Sequence, residues 1–131
     1  MPEEAQNAHT KFKIGEIWQQ EGRDPKAYIK KLEDAAHDGE DTQAMNALGS
    51  LSYHEKKEYT SAAEWFRKAS AIGCPRALNN LGVCYELGRG VSAVDTDEAF
   101  HMYKESAEKG YIPGMFNLGQ LCYRTAKQTR S

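Results

Sequence analysis

Small and apolar residues recur along the chain at helical intervals, in two patterns that alternate. The first pattern is a small residue, a leucine four positions later and a glycine directly after the leucine. Its three copies are Ala44-x-x-x-Leu48-Gly49, Ala77-x-x-x-Leu81-Gly82 and Gly114-x-x-x-Leu118-Gly119. The copies lie 33 and 37 residues apart, and self-similarity at such a fixed period is typical of repeat proteins.

The second pattern has large residues at offsets 3 and 4, small residues at offsets 7 and 8, and glycine at offset 11. Its copies are Ala62-x-x-Trp65-Phe66-x-x-Ala69-Ser70-x-x-Gly73, Ala99-x-x-Met102-Tyr103-x-x-Ser106-Ala107-x-x-Gly110 and the weaker Tyr28-x-x-Lys31-Leu32-x-x-Ala35-Ala36-x-x-Gly39. These offsets follow the period of a helix, not the two-residue period of a strand. They predict helices over 26–38, 43–55, 59–72, 75–87, 95–109 and 113–127.

The two patterns together predict antiparallel helix pairs. The large residues are expected to fill the space between helices, and the small ones let a neighbouring helix approach closely. Gly49, Gly82 and Gly119 fall in the middle of predicted helices, where glycine costs about 1 kcal/mol relative to alanine. A cost repeated at one offset indicates close backbone contact between paired helices. For the helix starts, Asp95 with Glu98 resembles a capping arrangement, while Thr42 and Ser61 are weaker candidates.

The predicted fold class is an all-α superhelix of stacked helix pairs. Residues 26–127 form the repeat domain, with units over 26–39 (partial), 43–73, 75–110 and 113–127 (partial). Residues 1–25 are expected to be partly disordered or to contain a degenerate capping helix within 8–20, and 128–131 form a frayed tail. The segment 113–127 lacks its second helix, so it is expected to belong to a longer array or to pack on another chain, including a second copy.

These residues also resemble a known family. The stretch Ala77-x-x-x-Leu81-Gly82-x-x-Tyr85-x-x-Gly88-x-Gly90-Val91…Asp95-x-x-x-Ala99-x-x-x-Tyr103-x-x-x-Ala107-x-x-Gly110 is similar to a Sel-1-like repeat, a relative of the tetratricopeptide repeat. The resemblance extends over about residues 26–124. Three features depart from it: one extra residue stands between Val91 and Asp95, the unit that begins at Ala44 lacks the Gly-x-Gly-Val loop, and Tyr53 and Tyr123 are each one residue late.

The resemblance implies a right-handed α-solenoid that binds a peptide or protein in a concave groove and carries no catalytic chemistry. By analogy with tetratricopeptide geometry, the groove candidates are Asn46, Tyr53, Arg76, Asn79, Asn80, Glu86, Phe116, Asn117, Gln120, Tyr123 and Arg124, together with Gln43, Ser50, Val83 and Pro113. An asparagine amide can pair with a peptide backbone, and an arginine can hold a carboxylate. Three alternatives stay open: cross-linking of helices by the asparagines, burial of Phe116 and Tyr123 under a missing next helix, and a solvated surface charge at Arg76.

Composition narrows the function classes. Sixteen alanines against eight valines and isoleucines favour helices. A net charge of −2 argues against a surface-wide nucleic-acid footprint. The sequence shows no signal peptide and no apolar stretch long enough to insert in a membrane. Three cysteines, none in a CxxC pair, favour a reducing compartment, and we expect a cytoplasmic protein.

Enzymatic features are weak. Gly88-Arg-Gly90 imitates a dinucleotide-binding turn but follows a predicted helix instead of a strand. The histidines lack zinc-ligand spacing, and Cys84 and Cys122 are expected to be core residues. We therefore expect no cofactor, no metal and no enzyme activity. The leading function is a protein-interaction scaffold, and the alternative is a regulatory or docking domain of a larger enzyme or signalling complex.

Overall fold

A computed structural model describes residues 24–38 and 40–130, and within these ranges the chain is helical without any strand. The helices are α1 (Pro25–Asp38), α2 (Thr42–Ser50), α3 (Tyr59–Ala71), α4 (Pro75–Leu87), α5 (Thr96–Glu108) and α6 (Ile112–Arg130). Each helix packs on its neighbours in sequence, and α4 also contacts α6. The pairs α2/α3 and α4/α5 are thus complete units, and α6 begins a third. The predicted helices and the all-α fold class are confirmed.

The end of α2 differs from a regular α-helix. A single π-helical turn, Leu51–Lys56, continues it and ends at Lys57, which has a left-handed φ of 56°. A π-turn accommodates one extra residue in a helix. Tyr53 stands four positions after Gly49, whereas Tyr85 stands three after Gly82. The π-turn absorbs that additional residue, so that both tyrosines pack on the same core cluster.

The helix starts partly follow the sequence prediction. The Asp95 side chain accepts a hydrogen bond from the Glu98 backbone N–H at 3.0 Å, which confirms this cap. The prediction of Thr42 as a cap was wrong. Asp41 caps α2 by accepting bonds from the N–H groups of Gln43 (3.0 Å) and Ala44 (3.2 Å), because Asp41 has the extended backbone of a capping residue whereas Thr42 is already the first residue of the helix. The weak suggestion of Ser61 was also wrong, since α3 starts after Glu58 with no side-chain cap.

The adjacent large residues of the second pattern bridge two cores. Trp65 packs on the cluster around Leu48, whereas Phe66 belongs to the cluster around Leu81. Met102 and Tyr103 divide in the same way between this second cluster and the one around Leu121. Neighbouring residues on a helix point about 100° apart, so each second helix packs one side chain in the cluster of its own partner and one in the cluster of the following unit.

The glycine of the first pattern is the contact point inside each complete unit. A Cβ built on Gly49 would lie 2.7 Å from Cδ1 of Phe66, and one on Gly82 would lie 2.6 Å from Cε1 of Tyr103. Real side chains do not approach so closely, so only glycine fits under these two rings. The same prediction was wrong at Gly119, where nothing lies within 4 Å of a built Cβ. No helix among the described residues covers this third position.

The connectors between paired helices differ in length. Two residues, 57–58, join the π-turn to α3, whereas eight, 88–95, join α4 to α5. In the longer connector Gly88 and Gly90 have φ values of 70° and 75°. A Cβ on Gly90 would lie 2.6 Å from the backbone carbonyl carbon of Tyr59. The Gly-x-Gly motif is therefore explained by a left-handed helix end and a close backbone approach.

Two predictions concern the ends of the chain. The helix predicted within 8–20 and the frayed residues 1–7 lie outside the described residues. The tail predicted at 128–131 is helical as far as Arg130, because no glycine or proline interrupts it and Thr129 bonds back to the carbonyl of Ala126 at 2.9 Å. Across the described ranges, none of the helices is both long enough and apolar enough to cross a membrane.

Candidate interaction groove

A concavity of about 480 Å3 lies between the first helices of neighbouring units. We call it the groove, and it is lined by Gln43, Asn46, Ala47, Ser50, Arg76, Asn80 and Tyr111. Five of these are candidates from the sequence, contributed by α2 and α4. They come together because residues three and seven positions apart share one face of a helix and the two first helices lie side by side.

The groove lining suits hydrogen bonding more than apolar burial. Gln43, Ser50 and Asn80 carry neutral polar groups that are only partly buried, and Arg76 is exposed. Arg76 is the single charged side chain of this lining, and the described residues offer it no ion-pair partner. A guanidinium beside amide and hydroxyl groups can bind a carboxylate and adjacent peptide groups.

The asparagines divide between cross-linking and lining. Asn46 is only 2% exposed; its amide donates to Cys74 Sγ at 3.3 Å and its carbonyl accepts from Asn80 Nδ2 at 3.2 Å. Asn79 is 7% exposed and accepts from Asn117 Nδ2 at 2.8 Å. The Asn80–Asn46 and Asn117–Asn79 bonds join first helices across unit boundaries. Asn80 both cross-links and lines the groove, whereas Asn79 and Asn117 stand outside the groove lining.

Glu86 and Arg124 form a link inside the chain. Glu86 pairs with Arg124 and accepts a 2.7 Å hydrogen bond from the hydroxyl of Tyr103. This cluster ties together α4, α5 and α6. Burial of Tyr103 and its bond to Glu86 raise the pKa of the tyrosine hydroxyl. The sequence prediction placed a partner's carboxylate at Arg124, and the structure places the carboxylate of Glu86 there.

Tyr53 is held by the Gly-x-Gly connector of the following unit. Its hydroxyl accepts a hydrogen bond from Arg89 Nη1 at 2.9 Å. The Arg89 guanidinium also lies 5.0 Å from the ring centre of Tyr59, and the two tyrosine rings are 5.0 Å apart. Sequence reasoning missed Arg89, although its place between two glycines was a signal. It also missed Tyr111 of the groove, which follows Gly110 in a connector and stands outside both patterns.

Three further candidates lie on α6, away from the groove. Phe116 and Tyr123 are 63% and 69% exposed, and Gln120 is exposed as well. None of the three lines the groove between α2 and α4. Phe116 and Tyr123 share the helix face that contains Gly119. Their position agrees with the alternative in which these two residues pack on a further helix instead of lining the groove.

The cysteines show no feature of a reactive site inside the core. Cys74 and Cys84 are buried, and burial raises the pKa of the Cys84 thiol to about 11, so that it stays protonated at neutral pH. Cys122 is exposed. The prediction that Cys122 is a core residue was therefore wrong, because no described helix covers its face of α6.

Stacked helix pairs of this kind, joined through repeated contacts between neighbours, define an α-solenoid repeat protein. A family model described as the Sel1 repeat matches residues 42–74, 75–111 and 112–127. The chain belongs to the Sel1 repeat family, which confirms the resemblance. The family is a common protein-interaction module and its fold is of a scaffold type.

Several similar proteins are known. The chain is 35% identical over 74 residues to the uncharacterized protein NMB1327 of Neisseria meningitidis serogroup B. The matched residues are 56% of this chain and 16% of that protein. A crystal structure of c5321, a protective antigen of uropathogenic Escherichia coli with an SLR fold, has a TM-score of 0.70 and 32% identity, covering 79% of this chain and 22% of that one. A Sel1 repeat protein from Oxalobacter formigenes has a TM-score of 0.71 and 26% identity, covering 82% and 83%. The chain thus spans less than a quarter of the first two relatives.

Proposed function

We propose that the protein is a non-enzymatic adaptor that binds a peptide segment of a partner protein in the groove. The observation that carries the proposal is the convergence of Gln43, Ser50, Arg76 and Asn80 from two separate helices on one concavity. Such convergence of polar groups in a concave surface is the usual arrangement of a binding site. Membership of an interaction-module family supports it.

The chemistry of the groove favours an acidic partner segment. Arg76 supplies a positive charge that no described carboxylate neutralises, and charge-assisted hydrogen bonds from a guanidinium to a carboxylate are stronger than bonds between neutral groups. Gln43 and Asn80 can pair with backbone amides beside it. We infer a short, extended segment that carries an aspartate, a glutamate or a terminal carboxylate.

Peptide selection tests this proposal. A phage-displayed library of random peptides is panned against the full chain, and selected peptides are measured by fluorescence anisotropy. Acidic peptides should be enriched, Arg76→Glu should weaken their binding at least about tenfold, and Asn80→Ala should weaken it less. Gln128→Ala, an exposed position on α6, is the matched control and should bind normally. Peptides that bind Arg76→Glu as well as the parent protein would move the site away from the groove.

We also propose that the protein works in a reducing compartment such as the cytoplasm. All three cysteines are free thiols, and two of them are buried in separate core clusters. Proteins of oxidising compartments more often pair their cysteines. Fractionation of the source cells with a redox-sensitive fusion tests this placement, and an oxidised fusion would contradict it.

A further inference from the structure

The face of α6 that points away from α5 is apolar and exposed. Its residues follow helical spacing around Gly119, and at about 100° per residue they share about a third of the helix surface. We call this set the open stripe; it consists of Ile112, Met115, Phe116, Gly119, Cys122 and Tyr123. Each of the six is exposed, and none is Asp, Glu, Lys, Arg or His. A continuous apolar face of this kind marks an interface.

The complete units show what normally covers such a stripe. In α2/α3 the ring of Phe66 lies on Gly49, and in α4/α5 the ring of Tyr103 lies on Gly82. Gly119 occupies the same place in the first pattern, but no ring is near it. The open stripe therefore contains a seat for an aromatic ring that no described residue of the same chain fills.

The rings that fill the two internal seats have the same neighbours. Each follows a small residue by four positions and precedes another by three, as in Ala62/Phe66/Ala69 and Ala99/Tyr103/Ser106, and all six of these residues are buried. The small neighbours allow the ring-bearing helix to approach the glycine closely. A helix that covers Gly119 is therefore expected to carry an aromatic residue with small residues at these two spacings.

The open stripe itself meets that requirement. Tyr123 follows Gly119 by four positions and precedes Ala126 by three. Its ring is 69% exposed, so it is free to enter another molecule. One helix carries both the seat and a suitable ring, which makes the surface self-complementary under a two-fold axis.

We propose that a second copy of this chain covers the open stripe, with the two α6 helices antiparallel. Tyr123 of each copy lies on Gly119 of the other, so the axis passes beside position 121. In this register Phe116 of each copy faces the small Ala126 of the other, and the two Cys122 side chains lie about 3 Å apart along the helix axis. The groove between α2 and α4 is a separate surface, and this proposal does not rest on peptide binding there.

Sedimentation velocity on the full chain tests the pairing. The parent protein should shift from monomer towards dimer as its concentration rises over about 1 µM to 1 mM, a range that detects weak association. Gly119→Leu fills the seat and Tyr123→Ala removes the ring, so each should raise the dimer dissociation constant about tenfold or more. Gln128→Ala, on the same helix outside the open stripe, is the matched control and should dimerise like the parent.

A thiol cross-linker provides a second measurement. Cys122 is the exposed cysteine, so a short bis-maleimide should join two chains in the parent protein but not in Cys122→Ser. The circular dichroism of Gly119→Leu should match that of the parent, because nothing lies within 4 Å of a Cβ at this position. A protein that stays monomeric throughout the range, or a dimer that Gly119→Leu leaves intact, overturns the proposal.

Discussion

The glycines under the aromatic rings allow a direct test of how the units are held together. Gly82 and Gly119 occupy the same place in the first pattern, and only Gly82 has a ring above it. A methyl group added at Gly82 would lie 2.6 Å from Cε1 and 2.7 Å from Cδ1 of Tyr103. At Gly119 the same methyl group would meet nothing within 4 Å. The two substitutions to alanine are therefore chemically identical but differ in surroundings.

The two substitutions are expected to change the free energy of unfolding in opposite directions. In either helix, alanine gains about 1 kcal/mol over glycine from backbone propensity alone. At Gly82 the ring cannot retreat, since Tyr103 is fully buried and its hydroxyl is bonded to Glu86. Overpacking of this kind costs about 3 kcal/mol. We expect Gly82→Ala to lower the free energy of unfolding by about 2 kcal/mol and Gly119→Ala to raise it by about 1 kcal/mol.

Urea unfolding followed by circular dichroism measures both changes. With a slope of about 2 kcal/mol per molar urea, the midpoint should fall by about 1 M for Gly82→Ala and rise by about 0.5 M for Gly119→Ala. Protein at about 1 µM keeps association from contributing. A Gly82→Ala variant as stable as the parent would refute the reasoning, because the ring would then have room to move and the glycine would have no packing role.

Three further predictions concern Tyr103, the cysteines and Ser70. Folding raises the pKa of Tyr103 above its ordinary value near 10, so the free energy of unfolding should fall as the pH rises above about 10, and Tyr103→Phe should show a smaller fall in the same titration. At about 1 µM protein, where association does not contribute, Ellman's reagent should rapidly label one thiol per native chain, the exposed Cys122, and labelling of Cys74 or Cys84 without denaturant would show that the core opens. The Ser70 hydroxyl is buried without a hydrogen-bond partner among the described residues, so Ser70→Ala should raise the free energy of unfolding by about 1 kcal/mol in urea titrations, and a loss of stability would reveal a partner for this hydroxyl.

The sequence predicts the helices well because the patterns record packing. The spacing of leucine, glycine and aromatic residues reflects which helix faces touch, and these contacts determine where each helix lies. The π-turn at Leu51–Lys56 was not predicted, although the extra residue before Tyr53 in the sequence was a sign of it. Thr42 was chosen as a cap where Asp41 acts, because both precede the same apolar run and only the backbone conformation separates them.

The groove was predicted less completely. The candidates on α2 and α4 came from the resemblance to tetratricopeptide geometry, and the structure brings Asn46, Arg76 and Asn80 together in the groove. Tyr111 comes from a connector, whose path no periodicity fixes. The pairing of Glu86 with Arg124 spans 38 residues, and it depends on how adjacent units stack, which a pattern within one unit does not describe. Cys122 was placed in the core because it stands, like Cys84, near the motif tyrosine of a first helix, where a small apolar residue suits the packing.

The unequal connectors have a consequence for engineering the array. Two residues in one unit and eight in the next join helices that meet through the same glycine and ring. The register of a helix pair is thus set by the contact between its two helices. The connector needs only to span the distance between their ends. Ser92 and Ala93 are exposed in the longer link, which makes this bend a suitable point at which to splice an epitope or a fluorescent label without altering the curvature of the stack.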